Sequence, residues 1–424
     1  MYRLIHTALL FWAIALSVHL ASAQSYREKG VRFEDKLSWS AIKLKAAVEN
    51  KYIFVDCYAT WCGPCKYMSY TIFPTQMAGD FFNSRFISVK IQMDTTAKDD
   101  EEIRQWYADA HRIREQYGVK AFPTFLVFAP NGRIVHKIIG GEISTAKFIM
   151  TVRRSFDPSH QYYTQLLDFN SGRRDSGFLR AMAYQCLKVE DNGNGLAAFQ
   201  AWQTTQKTPY TYFGLDLLKY YTKHVSDPGF ALLYQHSAEA DKIMGPGWAD
   251  RLARYILFRD YVVPSLNQNS DPNWPAIQQV LAAKYPAEAE EVVALSKVLF
   301  YQHVKEWPEF QAAILDYMQK YGEHATPDEL NSYAVTVFQN CRDMNCVAGA
   351  LDWSKRSFKD KPNPMFMDTY ANILYKMGKR TDAIAWEQKA LAISTADDRP
   401  SLRSNLEKMQ KGEKTWNDEG LPNE

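Results

Sequence analysis

From Gln161 to the C-terminus, roughly 260 residues, no stretch alternates apolar and polar side chains as a half-buried strand must. That segment instead carries Tyr, Leu, Ala and Lys at helical spacing. It is punctuated by Asn192-Gly193-Asn194-Gly195, Gly245-Pro246-Gly247 and Ser270-Asp271-Pro272. A helical run of this length predicts an array of short helices rather than one bundle. The preceding part has a different pattern. From about Phe33 to Phe156, short apolar runs (52–58, 86–93 and 124–128) alternate with helix-like segments (39–48 and 99–117). Pro130-Asn131-Gly132 turns a hairpin into 133–139, and a helix follows over 144–154. Strand–helix alternation closed by a hairpin predicts an α/β sheet under helical cover.

The first residues read as a secretory leader. Arg3 supplies a positive start, Ala8 to Val18 an apolar core, and Ala21-Ser22-Ala23 a small-x-small cleavage site. Residues 1–23 are therefore expected to be removed, leaving Gln24 first. His6, Ser17 and His19 interrupt the run, which argues against an uncleaved anchor. The expected location is exported and soluble, most simply periplasmic. Lys plus Arg is 50 against 48 for Asp plus Glu, and no long basic run occurs, so nucleic acid is not an expected partner.

The chemistry is concentrated in Trp61-Cys62-Gly63-Pro64-Cys65-Lys66. This segment follows an apolar strand and should open a helix, which would place Cys62 over unpaired backbone N–H groups. Those groups and the helix dipole favour a thiolate, lowering a thiol pKa from about 8.5 toward about 7 or below. Cys62 is then the expected nucleophile, and Cys65, one turn on, the resolving thiol. Two intervening residues bring both sulfurs within bonding distance. Pro64 stiffens the turn without loss of a helical hydrogen bond, because its missing N–H lies in the first turn.

Around that segment the chain resembles the thioredoxin family. Val55-Asp56, Trp61 to Lys66, Lys90, Asp94, Tyr117-Gly118-Val119, Phe122-Pro123-Thr124 and Gly140 appear in the family's order. The resemblance covers about residues 33–156 and implies a central mixed sheet with helices on both faces, within a domain spanning 24–156. It implies that Pro123 is cis, facing the sulfurs and presenting backbone to a substrate peptide. It implies that Asp56 is a buried carboxylate able to take the proton of Cys65, with Lys90 as its neighbour. By the same resemblance Trp61, Gly63, Pro64, Phe122, Pro123 and Gly140 line the docking groove. The 22 residues between Asp94 and Tyr117 exceed the compact family pattern; they read as a longer solvated helix or as a rim that selects partners.

Within the all-helical remainder, 157–424, residues 368–391 resemble a tetratricopeptide unit. Ala371 stands where two helices cross, Gly378 in the turn, and Ala383 and Ala390 on the second helix. Residues 332–357 look like a degenerate copy.

The other four cysteines are read separately. Cys57 and Cys186 are expected as buried core thiols. Cys341 and Cys346 are candidates for a structural disulfide across a helix–turn–helix junction, because an i,i+5 pair needs the four residues between to turn. A second redox pair is the alternative. The run Asp99 to Glu102 reads as a helix N-terminus, and the histidines show no metal-ligand spacing. No metal and no cofactor are expected.

The function these features predict is thiol–disulfide exchange on exported client proteins. Gly-Pro between the cysteines resembles the reducing members of the family, which implies a transmembrane thiol reductase as electron donor. The rival reading is an adaptor, in which the helical region binds a protein partner and the redox domain is a recruited or regulatory module.

Overall fold

The computed structural model describes residues 30–266 and 271–416, so the expected leader lies outside the described residues. The chain divides into two compact units, the first ending at Pro209 and the second beginning at Tyr210.

The first unit opens with α1 (Trp39–Glu49), capped by the Ser38 hydroxyl accepting from the Ala41 N–H. Next come β1 (Tyr52–Tyr58), the short α2 (Gly63–Tyr67) running into a π-helical turn over Met68–Ile72, and α3 (Gln76–Arg85). These are followed by β2 (Phe86–Gln92), α4 (Glu101–Gln105), α5 (Tyr107–Gln116), β3 (Thr124–Phe128), β4 (Ile134–Ile139) and α6 (Thr145–Arg153). The strands form one mixed sheet in the order β2-β1-β3-β4, with β1 parallel to β2 and the other two pairings antiparallel.

The alternation of β1 sends its side chains to two cores. Ile53, Val55 and Cys57 pack with Ile42 of α1 and Ile113 of α5 on one face. Phe54 faces the other side, where Phe82 of α3, Phe125 of β3 and Phe148 of α6 surround it. The ring centroids there lie 4.7 Å (Phe54–Phe82) and 5.0 Å (Phe125–Phe148) apart. Aromatic pairs at such distances add to the area they bury. Helices therefore cover both faces of a mixed sheet.

One expected helix, over 99–117, is two. The break falls at Trp106, whose N–H bonds the Ile103 carbonyl in a tighter turn. That turn lets the half-buried indole reach the α1/α5 core, a gain a straight helix would forgo.

Three further helices complete this unit: α7 (Tyr162–Asn170), α8 (Ser176–Lys188) and α9 (Asn192–Gln203). They lie past the composition break at Asp157 yet belong with the sheet. The α7 N-terminus is fixed to β4 by the Tyr162 N–H donating to His136 Nδ1 at 3.1 Å. His136 is 5% exposed, and burial, with His160, Arg154 and Lys188 nearby, pushes its pKa down to about 4. The ring is thus neutral at pH 7 and able to accept at Nδ1.

The second unit contains no strand among the described residues. It comprises α10 (Tyr212–Tyr221), α11 (Pro228–Gln235), α12 (Ser237–Met244), α13 (Trp248–Leu257), α14 (Val263–Leu266), α15 (Trp274–Lys284) and α16 (Ala289–Val304). It continues through α17 (Trp307–Tyr321), α18 (Pro327–Asn340), α19 (Met344–Ser357), α20 (Pro364–Lys376), α21 (Arg380–Ile393) and α22 (Arg399–Lys411). The chain turns between α20 and α21 at Gly378, whose φ of +80° disfavours any side chain. Ala371, Ala383 and Ala390 are fully buried, so small side chains set how closely those two helices approach.

Candidate functional site

Beyond β1 the chain makes one turn and starts α2, with Cys62 as its N-cap. The Cys62 sulfur accepts the Cys65 N–H at 3.1 Å, the position from which a helix N-terminus stabilises negative charge. Cys62 and Cys65 are joined as a disulfide and are only 3% and 4% exposed. Pro64 lies in the first turn of α2, where no hydrogen bond is lost.

Phe122 packs against the small cluster of Ala59, Cys62 and Cys65, and its ring centroid lies 5.8 Å from that of Trp61, which is 70% exposed. The Phe122–Pro123 peptide is cis. The Pro123 carbonyl accepts the Gly140 N–H at 2.8 Å, and Thr124 Oγ1 donates to the Ala121 carbonyl at 2.7 Å, so this loop is held at both ends. Gly140 has a φ of +89°. The neighbouring Gly141 is also constrained, since a Cβ there would lie 3.3 Å from the Met68 side chain.

On the face of β1 shared with Phe54 lies Asp56, 1% exposed. The parallel register sets Lys90 of β2 opposite it, and Lys90 Nζ lies 3.6 Å from Asp56 Oδ2. The same ammonium donates to Ser69 Oγ and sits over the rings of Tyr58, Phe33 and Phe73. Burial raises the Asp56 pKa to about 6 despite the pull of Lys90, and Asp56 Oδ1 is buried without a hydrogen-bond partner. A carboxyl in this state can hold or accept a proton near neutral pH, as general acid–base catalysis requires.

Other residues shape the site without having been singled out for it in the sequence. The Asp94 carboxylate accepts from the Thr60 N–H at 3.0 Å and from the Thr60 hydroxyl, fixing the turn just before Trp61. Asp99, within the acidic run, is an anchor, while its neighbour Asp100 caps α4. Asp99 accepts from Thr96, from Gln92 Nε2 at 2.9 Å and from the Tyr107 hydroxyl at 2.6 Å. Those bonds, led by the Thr96 hydroxyl, hold its carboxyl well below the usual range. Gln92 also donates to the Asp94 carbonyl. The long segment before Tyr117 thus ties back to the Asp94 turn. Tyr67, two residues past Cys65, donates to the Ile143 carbonyl at 3.0 Å and joins α2 to the loop after Gly140.

The remaining cysteines divide as follows. Cys57 and Cys186 are buried single thiols. Cys341 and Cys346 are brought together with their sulfurs 3.2 Å apart, but both are free thiols; the bond expected between them is not formed in this structure.

Comparison with known proteins places these features in context. A family model for a thioredoxin-like domain matches residues 41–154. A thioredoxin H-type of Chlamydomonas reinhardtii is 33% identical over 95 residues, covering 22% of this chain and 69% of that protein. Thioredoxin-like protein 1 of Schizosaccharomyces pombe is 34% identical over 99 residues, covering 23% of this chain. The chain spans only 28% of that protein's length. A solution structure of a putative disulphide-isomerase from Bacteroides thetaiotaomicron is 32% identical and covers 30% of this chain and 95% of its own, with a TM-score of 0.25.

Proposed function

The chain belongs to the thioredoxin family, and on that premise we propose that it is an exported thiol–disulfide oxidoreductase that reduces disulfides of client proteins through Cys62 and Cys65. The observation that carries the proposal is the Cys62–Cys65 pair itself. It is set at a helix N-terminus, with Cys65 N–H directed at the Cys62 sulfur and Phe122 packed against the cluster the two cysteines form with Ala59.

In the proposed cycle the reduced Cys62 thiolate attacks one sulfur of a client disulfide, forming a mixed disulfide and releasing the other client sulfur as a thiolate. Asp56, kept near Lys90, takes the proton of Cys65. The Cys65 thiolate then attacks the Cys62 sulfur, releasing the second client thiolate and leaving Cys62–Cys65 oxidised. Trp61, Gly63, Pro64, Phe122, Pro123 and Gly140 are assigned to the groove that receives the client backbone. Two electrons from a thiol donor restore the dithiol, and in an oxidising periplasm that donor is a transmembrane thiol reductase. The leader over residues 1–23 delivers the protein there. The redox chemistry is assigned to residues 24–156 and the capture of a protein partner to the helical remainder, 157–424.

The test is a mixed-disulfide trap. Purified Cys65→Ser protein should accumulate a covalent complex with a disulfide-bonded client, dissociable by dithiothreitol. Cys62→Ser should accumulate none and lose disulfide reductase activity. Activity that survives loss of Cys62 would end this reading.

A further inference from the structure

Outside the site just described, the chain contains one other pair of cysteines in contact among the described residues. Cys341 ends α18, its N–H donating to the Val337 carbonyl, and Cys346 lies in the first turn of α19. Arg342 and Asp343 make the connection, and Asp343 caps α19 by accepting the Asn345 N–H. The two sulfurs lie 3.2 Å apart, in an apolar core with Phe310, Val337 and Val347, and both residues are essentially inaccessible.

We propose that Cys341 and Cys346 are a second dithiol–disulfide couple, whose oxidation bonds the end of α18 to the first turn of α19. Three observations carry this. The five-residue spacing is too long to close within one helix, yet the turn at 341–343 reverses the chain and brings the sulfurs together. Closing the bond to about 2.05 Å requires roughly one further ångström of approach. The thiols are also inequivalent: Cys346 donates its S–H to Cys341, and Lys376 adds to the stabilisation of negative charge there. Cys341 is accordingly drawn below the ordinary thiol range and Cys346 pushed above it. The thiol drawn down is the one favoured to attack first, and the other the one left to resolve. Cys57 and Cys186 lack this arrangement, since each is a single thiol raised by burial.

The reaction balances with a disulfide as oxidant. The Cys341 thiolate attacks R–S–S–R, forming Cys341–S–S–R and releasing one RS⁻. Cys346 loses its proton and attacks the Cys341 sulfur, releasing the second RS⁻ and leaving Cys341–Cys346. Two electrons pass to the oxidant, which departs as two thiols. Burial requires the 341–343 turn to open first, so exchange is slow in both directions and the closed bond is protected from reductants. The couple does not depend on the role of Cys62 and Cys65.

The experiment uses the full chain carrying Cys62→Ser and Cys65→Ser, equilibrated in mixtures of reduced and oxidised glutathione. Samples are quenched with acid, unfolded, alkylated and analysed by mass spectrometry. In oxidising mixtures the peptides bearing Cys341 and Cys346 should become linked, with loss of two hydrogens and no alkylation. Dithiothreitol should restore both thiols. Oxidation should raise Tm by on the order of 5 °C, a rise absent after Cys341→Ser with Cys346→Ser. If both thiols are still alkylated after equilibration, or carry glutathione singly, the proposal fails. The mass readout needs no substitution at either position, so a poorly folding double variant leaves the test intact.

Discussion

Lys90 Nζ stands 3.6 Å from the buried carboxylate of Asp56, directly across the β1–β2 ladder, and still does not bring that carboxyl back to its ordinary range. Desolvation outweighs the ion pair, as expected when one member is fully buried and the other reaches solvent.

Ionising Asp56 therefore costs folded-state stability. Its folded pKa, about 6, lies above the unfolded value of 3.8, so its own contribution to stability is most favourable at acid pH and is lost as pH rises from about 4 through 6. Asp56→Asn should stabilise the protein at pH 8 by about 2–3 kcal/mol and leave it little changed at pH 4, as read by denaturant titration at both values. Resolution of the mixed disulfide by Cys65 should slow in the same variant, and in the parent should slow as pH falls below about 6. A variant less stable at pH 8 would refute the first expectation.

Asp94 holds the turn that delivers Trp61 and Cys62, through bonds to both the N–H and the hydroxyl of Thr60. Asp94→Ala should cost about 1–3 kcal/mol, the usual consequence of leaving such donors unpaired. Disulfide exchange should fall as well, and Asp94→Asn should recover part of both losses. Unaltered exchange kinetics in the alanine variant would show that the turn holds itself.

Asp99 titrates in the opposite sense to Asp56. Its folded pKa is depressed by hydrogen bonds, so its contribution to stability is present above about 4 and is lost as pH falls further. Asp99→Ala should make residues 94–106 more susceptible to proteolysis at pH 7. It should also flatten the acid limb of the stability profile. An unchanged cleavage pattern would contradict the anchoring role.

In the second unit Glu387 is fully buried beside Asp368, and burial, followed by the charge of Asp368 and a hydrogen bond to it, pushes its pKa up to about 9. The group is neutral in the fold at pH 7. Because the folded value exceeds the unfolded 4.5, its contribution falls as pH rises from about 4.5 to 9. Glu387→Gln should be tolerated at pH 7 and should flatten the decline in Tm between pH 7 and pH 9. A steeper decline in the variant would argue that the carboxyl ionises in place.

The parts of this fold that could be read in sequence were those dictated by local pattern. The apolar runs at Tyr52–Tyr58 and Thr124–Phe128 are strands over those same residues, because a central strand buried on both faces leaves little choice of side chain. The Cys-Gly-Pro-Cys segment opens a helix for equally local reasons. The break at Trp106 could not be read, since the helical pattern continues through it and only the core contact of the indole favours the tighter turn. The bonds from Thr60 to Asp94, from Tyr107 to Asp99 and from Tyr67 to Ile143 join residues distant in sequence or polar groups with many equivalent partners. Their pairing is set by the tertiary structure alone.

The bond from Tyr162 to His136 bears on how this protein can be cut. A fragment ending at Phe156 would discard α7 and leave β4 an unshielded edge strand, open to pairing with a second copy. It would also expose an imidazole whose present neutrality depends on burial. A recombinant redox domain intended to stay monomeric should therefore extend to Pro209, where the first compact unit ends.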